Sequence, residues 1–371
     1  MPLSHRRTLT HHLIEERRRF PQASGALNGL LLDIAVACKA IARIVSFGEL
    51  GEQMTVATAS AKARDPEAAP GIDATPGGNH ALNLLSQDIF LRINEWNGHT
   101  AGMVSSALKD PVQLPAGRPR GKYLLAFNPL EGSGPTDFNV AVGSIFSILR
   151  APQALIEGNR DATVGDFLQP GTQQVAAGYA LYGPATMMVL SAGNGVSGFT
   201  LNHNLGEFVL THPNIKVPEK TQEFAINSAN SRFWEPPIKR YVDECLAGKS
   251  GPRGKDFNMR WIASMAAEAH RILMHGGVFL EPRNTRDPKK PGPRRLLQEA
   301  NPIGFLVEQA GGRASTGRAG VLDLTPEGIH QGVGLMFGSR QEVERIEQYH
   351  RQPNTQDQGL QLFTERSLFR D

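Results

Sequence analysis

Cysteine is almost missing from this chain: Cys38 and Cys245 are the only two in 371 residues. A disulfide framework is therefore excluded, since one bridge would close a very long loop, and two reduced thiols in a cytoplasmic protein are expected instead. Net charge is nearly missing too. With 39 Lys+Arg against 36 Asp+Glu, the formal charge is +3, which is too small and too spread out for the basic face of a nucleic-acid-binding domain. Long apolar runs are also lacking. Those from Ile34 to Cys38 and from Tyr123 to Phe127 fall far short of the roughly 20 residues that cross a bilayer, so no membrane span is expected. Behind Arg6 and Arg7 there is no apolar stretch, and Glu15-Glu16 argues against a transit peptide. The cytoplasm is the expected location.

What is present is enough to fold. The chain is 40% apolar, with 39 Gly and 25 Pro, so it is loop-rich without being of low complexity. The clearest helix is expected over residues 24–48. Ser24 stands as N-cap, Leu27, Leu30, Leu31, Ile34, Cys38, Ile41 and Val45 recur at three- and four-residue steps, and Gly48 suits the left-handed position past the end. Residues 51–78 lose all periodicity, and Pro66, Pro70 and Pro76 read as a long mobile loop. A second helix is expected from about Ala81 to Trp96, then strands at Lys122–Phe127 and Phe138–Leu149, with a turn segment at Asn128–Asp137 between them.

Short strands follow at Ala176–Tyr182, Thr186–Leu190, Val196–Leu201 and Phe208–Leu210. Gly193-Asn194-Gly195-Val196-Ser197-Gly198 matches the dinucleotide pattern but runs on into a strand, so it reads as a hairpin turn. Further strands are expected at Glu223–Asn227, Val278–Leu280 and Gly334–Phe337, and helices at Pro237–Leu246, Trp261–Met274 and Pro302–Ala310. Ser339 with Glu342 suggests a capping box for a last helix. Two basic clusters stand out. Arg17-Arg18-Arg19 reads as a solvated helix end, and Lys289 to Arg295 as either a solvated loop or a contact for an anionic ligand. His11-His12 lacks metal-binding neighbours and reads as a surface pair. Irregular alternation of strands and helices points to a layered α/β (α+β) architecture.

Several segments resemble class 1 fructose-1,6-bisphosphatase over nearly the whole chain: Thr8-Leu9-Thr10, Gly121-Lys122-Tyr123, Phe167-Leu168-Gln169-Pro170-Gly171, Gln174-Val175-Ala176-Ala177-Gly178-Tyr179 and Glu299-Ala300-Asn301-Pro302. The resemblance implies a sugar-phosphatase fold of stacked helix and sheet layers, assembled as a homotetramer. It also implies Mg²⁺-dependent hydrolysis of fructose 1,6-bisphosphate to fructose 6-phosphate and phosphate. On this reading residues 1–205 form an N-terminal domain, 206–350 a C-terminal sugar-phosphate domain, and 351–371 a polar tail.

Set against the family pattern, the chain departs at the metal site. Ser106-Ala107 stand where the family has adjacent glutamates, Asn128 and Glu131 where it has aspartates, and Asn83 where an aspartate assists the attacking water. Leu130 (through its carbonyl), Glu131 and Glu299 are what the resemblance leaves as metal ligands. Mg²⁺ needs hard anionic oxygens in near-octahedral array, and losing positioned electrostatic groups costs about 3–4 kcal/mol each.

The resemblance also implies a substrate pocket of Gly132, Ser133, Asn227, Arg260, Met265 and Arg295. Family tyrosines are replaced by Trp261, Glu281 and Gln298, and a lysine by Pro293. It implies an AMP-type allosteric site at Lys122, Tyr123 and Arg150, where Lys122 and Tyr123 equally begin a strand. The residues thus favour a catalytically impaired pseudoenzyme that binds a sugar phosphate weakly, as a homo-oligomer or beside an intact paralogue. The alternative is an active Mg-dependent fructose-1,6-bisphosphatase.

Overall fold

The structure, a computed structural model, describes residues 7–19, 25–48, 80–132, 139–287 and 291–352. The Ser24 cap, the loop at 51–78, Ser133 with the rest of the turn to Asp137, Lys289-Lys290 and the tail from 353 lie outside the described residues.

Helices α1 (Leu9–Arg19), α2 (Gly25–Val45) and α3 (His80–Asn94) pack on one face of a seven-stranded sheet whose strands lie side by side in chain order. These are β1 (Thr100–Ser105), β2 (Tyr123–Glu131), β3 (Val142–Arg150), β4 (Gln174–Tyr182), β5 (Thr186–Ser191), β6 (Val196–Asn202) and β7 (Glu207–Ile215). β1 and β2 run parallel, and every later pair is antiparallel. The apolar stripe read in α2 is the core face: Leu30, Ile34, Cys38 and Ile41 are buried there with Phe90, Phe127 and Phe146. Gly48 adopts φ +54°, a conformation that favours glycine beyond a helix end.

A second sheet has the order β12-β14-β10-β8-β9. It consists of β8 (Glu223–Ile226), β9 (Asn258–Met259), β10 (Val278–Glu281), β12 (Arg313–Ser315) and β14 (Leu335–Gly338), while β11 (Arg294–Arg295) pairs with β13 (Gly332–Val333) apart from it. Helices α5 (Met265–His275) and α6 (Asn301–Gln309) lie between the sheets. Their Met265, Ile272, Ile303 and Leu306 share one core with Ile145, Tyr179 and Val189 of the first sheet and Phe279 and Phe337 of the second. Helices α4 (Pro236–Leu246) and α7 (Arg340–Arg351) cover the far side through Ile238, Tyr241, Val343 and Ile346. The layers thus alternate helix, sheet, helix, sheet, helix, as the α/β expectation requires.

Four local expectations are corrected. β2 runs on through Asn128–Glu131, which the sequence suggested was a turn; Pro129 brings no N–H to the ladder, and the register with β3 shifts between Asn128 and Glu131. Helix α5 begins at Met265 rather than Trp261, because Ala263 sits at φ +63° and Ser264 caps the helix, accepting from Ala267 N at 3.4 Å. The Ser339–Glu342 capping box does not form: the Ser339 hydroxyl accepts from Gly277 N, and Glu342 turns to Arg253. Finally, α2 does pass for a membrane span by length and composition, with 21 residues and an 18-residue window of mean hydropathy 1.6. Half of that window is buried in the core, as in the core helix of any layered fold. Both cysteines are buried free thiols, and burial pushes Cys38 up to about 12.

Candidate functional site

The carboxylates singled out from the sequence do converge. Glu131 ends β2, and Glu299 lies in a π-helical turn, Leu296–Ala300, that leads directly into α6. Such a widened turn often re-aims side chains at functional sites. Glu281 ends β10. All three face one side chain that the sequence reading passed over. Arg294 Nε hydrogen-bonds Glu281, and its Nη1 lies 3.5 Å from Glu131 and 3.9 Å from Glu299. Burial alone would pull this guanidinium down, but Glu281, Glu299 and Glu131 outweigh it and hold it charged, above the ordinary arginine value.

Most of the remaining oxygen ligands already accept hydrogen bonds, with Asn83 Oδ1 the exception. Glu131 accepts from Met265 N at 2.8 Å, Ala266 N at 3.1 Å and the Ser264 hydroxyl at 3.1 Å, so it closes the N-terminus of α5, where a carboxylate suits the helix dipole. Burial pushes its carboxyl up, against the pull of Arg294 and the two backbone amides. Glu299 accepts from Asn128 Nδ2 at 3.0 Å and from Arg295 N at 2.8 Å. The Leu130 carbonyl accepts from Asn83 Nδ2 at 3.3 Å, while Asn83 Oδ1 is buried without a partner. Ser106 and Ala107 sit in a turn after β1, with Ser106 N donating to Phe127 O and Ala107 N to the Ser105 hydroxyl.

A resident divalent ion does not fit this arrangement. Mg²⁺ wants six oxygens at about 2.1 Å, whereas here a guanidinium stands among the acids and an amide nitrogen, not an oxygen, faces Glu299. Among the described residues no group of three or more His, Cys, Asp or Glu side chains is arranged to hold a metal.

The substrate-pocket residues are only partly gathered. A cavity of about 530 Å³ is lined by Asn227, Asn230, Trp234, Glu281, Arg286 and Pro293, among others. Asn227 caps a short 3₁₀ turn there, accepting from Ala229 N at 3.1 Å. Glu281 is the wall shared by this cavity and the Arg294 cluster. Arg295 stands next door, with Nη1 2.7 Å from His330 Nδ1. Gly132, at φ +76°, follows β2 beside Ser264. Arg260 is exposed and lies 3.5 Å from Glu223, away from the cavity lining. Met265 is fully buried in the shared core, so its side chain meets packing rather than solvent. Trp261 stacks on Phe279 at 5.7 Å, and Gln298 donates to Ile329 O at 2.9 Å.

A second cavity, about 580 Å³, lies between α1, α2 and the β5–β6 turn, and Arg150 lines it. Lys122 is exposed and Tyr123 is buried in the first core, and neither is among the lining residues. Only one of the three expected allosteric residues reaches this cavity.

Arg294 is the residue that reasoning from sequence missed. The signal available was indirect: Arg294-Arg295 sits in a cluster that reads as either a solvated loop or a contact for an anionic ligand, while an extra acid, Glu281, stands elsewhere. Nothing local says that the two meet.

Comparison with known proteins places these residues among relatives. The family model of the fructose-1,6-bisphosphatase N-terminal domain matches residues 7–213, and that of the C-terminal domain matches residues 217–351. A class 1 fructose-1,6-bisphosphatase of Hydrogenophilus thermoluteolus is 58% identical over 371 residues, covering 100% of this chain and 99% of that protein. One from Methylibium petroleiphilum is 56% identical over 369 residues, again covering 100% of this chain and 99% of the relative. Among solved structures, Leishmania major fructose-1,6-bisphosphatase in holo form superposes with a TM-score of 0.80 at 32% identity, covering 94% of this chain and 99% of that one. Its apo form gives 0.77 at 32% identity, covering 94% and 100%.

Proposed function

The chain belongs to the fructose-1,6-bisphosphatase family, and from that membership we propose that it acts on fructose 1,6-bisphosphate, hydrolysing it to fructose 6-phosphate and phosphate. One observation carries this reading: identity of 58% over the full length to a relative named as that enzyme without qualification. The relatives' names favour the active enzyme over the impaired form that the residues alone favoured. The 530 Å³ cavity suits a sugar phosphate, with Asn227 and Asn230 to meet hydroxyls and Arg286 to meet a phosphate. As the family generally works as an oligomer with divalent metal ions on a sugar phosphate, a homo-oligomer in the cytoplasm is part of the proposal, and so is a division into two domains, placed after β7 rather than near residue 205 because β7 pairs with β6.

A specific observation favours a second reading, in which fold and cavity are kept and hydrolysis is impaired. Glu131, Glu281 and Glu299 surround a single guanidinium. Phosphoryl transfer relies on preorganised positive charge around the transferring group. A cluster of acids outnumbering its cation gives a phosphate little to gain, and no step can be written through a metal at these donors.

One assay separates the readings. Purified chain, freed of host phosphatase, is given fructose 1,6-bisphosphate with Mg²⁺ or Mn²⁺, and phosphate release is followed. Turnover within about tenfold of the Hydrogenophilus relative, measured alongside, supports the active enzyme; a difference of that size is about 1.4 kcal/mol in the barrier. Saturable substrate binding with no phosphate release supports the impaired form and rejects the first reading.

A further inference from the structure

We propose that Arg294 is the resident cation of the Glu131–Glu281–Glu299 cluster, a tethered guanidinium that makes the cluster independent of divalent metal and closes it to Mg²⁺ and Mn²⁺. The inference rests on the geometry of the site and accords with the second, impaired reading of the function, but its test reads metal binding and stability rather than turnover.

Three acids come from distant parts of the chain: the end of β2, the end of β10 and the π-helical turn before α6. Bringing carboxylates together in a poorly solvated place requires a compensating positive charge. Arg294 supplies it from within. Its side chain is 18% exposed, and Glu131 and Glu299 are 5% and 9% exposed. A guanidinium spreads one charge over a planar fork of five N–H donors, which lets it serve several carboxylates at 3 to 4 Å. A divalent ion instead demands short, convergent oxygens.

The surrounding donors are set for the guanidinium. Asn128 donates its amide nitrogen to Glu299 at 3.0 Å. Asn83 caps the Leu130 carbonyl, and Glu131 is held by two backbone amides and a hydroxyl. For a metal to enter, Arg294 would have to leave all three acids, and these hydrogen bonds would have to be remade. β11, which carries Arg294, is held by its pairing with β13, so the backbone that presents the guanidinium to the acids is fixed.

The test uses the full chain and Mn²⁺ as probe. Binding is followed by electron paramagnetic resonance and calorimetry, and stability by thermal unfolding with Mn²⁺ or with chelator. The expected result is no Mn²⁺ uptake that depends on Glu131 or Glu299, and the same Tm in both conditions. Stoichiometric uptake by the unaltered chain that Glu299→Gln abolishes would overturn the proposal. In Arg294→Leu the acids lose their cation, and the expected result is new Mn²⁺ uptake with a Tm that Mn²⁺ raises by several degrees. A folded Arg294→Leu that takes up no Mn²⁺ also overturns it. Should that variant fail to fold, Arg294→Lys keeps one charge without the fork, and is expected to melt lower and still ignore Mn²⁺; a Tm that Mn²⁺ raises would count against the proposal. Phosphate release from fructose 1,6-bisphosphate is a separate readout, so either proposal can fail alone.

Discussion

Glu131→Ala is the perturbation that best distinguishes a carboxylate built into the fold from one held in reserve for a metal. The side chain is 5% exposed and accepts three hydrogen bonds, from Met265 N, Ala266 N and the Ser264 hydroxyl. Deleting it strands two amides of the first turn of α5 in a buried place, each at a cost of about 1–3 kcal/mol. It also removes one of the acids around Arg294. Two effects oppose this: the desolvation that pushes Glu131 up is relieved, and so is its repulsion by Glu299. The hydrogen bonds outweigh both, leaving a net loss of about 2–4 kcal/mol. With the two halves sharing one core and melting together, the entropy of unfolding per residue gives roughly 1.4 °C per kcal/mol, and Tm should fall by about 3–6 °C. The measurement is thermal unfolding by circular dichroism in chelator, with Glu131→Gln expected to recover part of the loss by keeping an acceptor. An unchanged or higher Tm would refute the reasoning, because that is how an uncompensated acid in an empty cage behaves when it is removed.

Two further outcomes are expected. His270 is pushed down to about 4, chiefly by burial and then by His212 and His275, and lies 2.9 Å from the Tyr179 hydroxyl. Its contribution is complete above the unfolded value near 6.5 and is lost as pH falls through about 4, up to about 3 kcal/mol; His270→Gln should flatten the fall of Tm over that window, and an equally steep fall would contradict the assignment. Arg253 meets Glu342 at 2.6 and 2.7 Å, both side chains being 4% exposed, with the Tyr241 hydroxyl on the same carboxylate at 2.9 Å. Arg253→Ala should therefore cost about 3–5 kcal/mol in urea unfolding, and a loss under about 1 kcal/mol would mean that Lys255 or water takes over.

What the sequence made legible is what its periodicity encodes. The stripe of α2 and the short strands β4 to β6 follow from side chains that repeat at three, four or two residues, and they lie nearly where the sequence places them, whereas β7 runs five residues past the expected Phe208–Leu210 to Ile215. The segment that matched the dinucleotide pattern is a hairpin connection: residues 192–195 turn between β5 and β6, and Val196–Gly198 already belong to β6. Ends were harder. Pro129 hid the extension of β2, and a left-handed Ala263 moved the start of α5, because neither a tolerated proline nor a strained alanine leaves a local signature. At the candidate site, Glu131 and Glu299 were found through resemblance, yet their partners were not. Arg294 meets acids 13 and 163 residues away in the chain, counted to Glu281 and Glu131, and no short-range pattern carries such a pairing.

The apolar layer between the two sheets has a consequence for how the molecule comes apart. Ile145, Tyr179 and Val189 from before residue 206 are sealed against Ile272, Leu306 and Phe337 from after it, and Glu131 fastens that seam by holding the first turn of α5. Neither half can shed the other without exposing its own interior. A nick in the connection between β7 and β8 should therefore leave two pieces that stay together, melt in one step, and are insoluble when made alone.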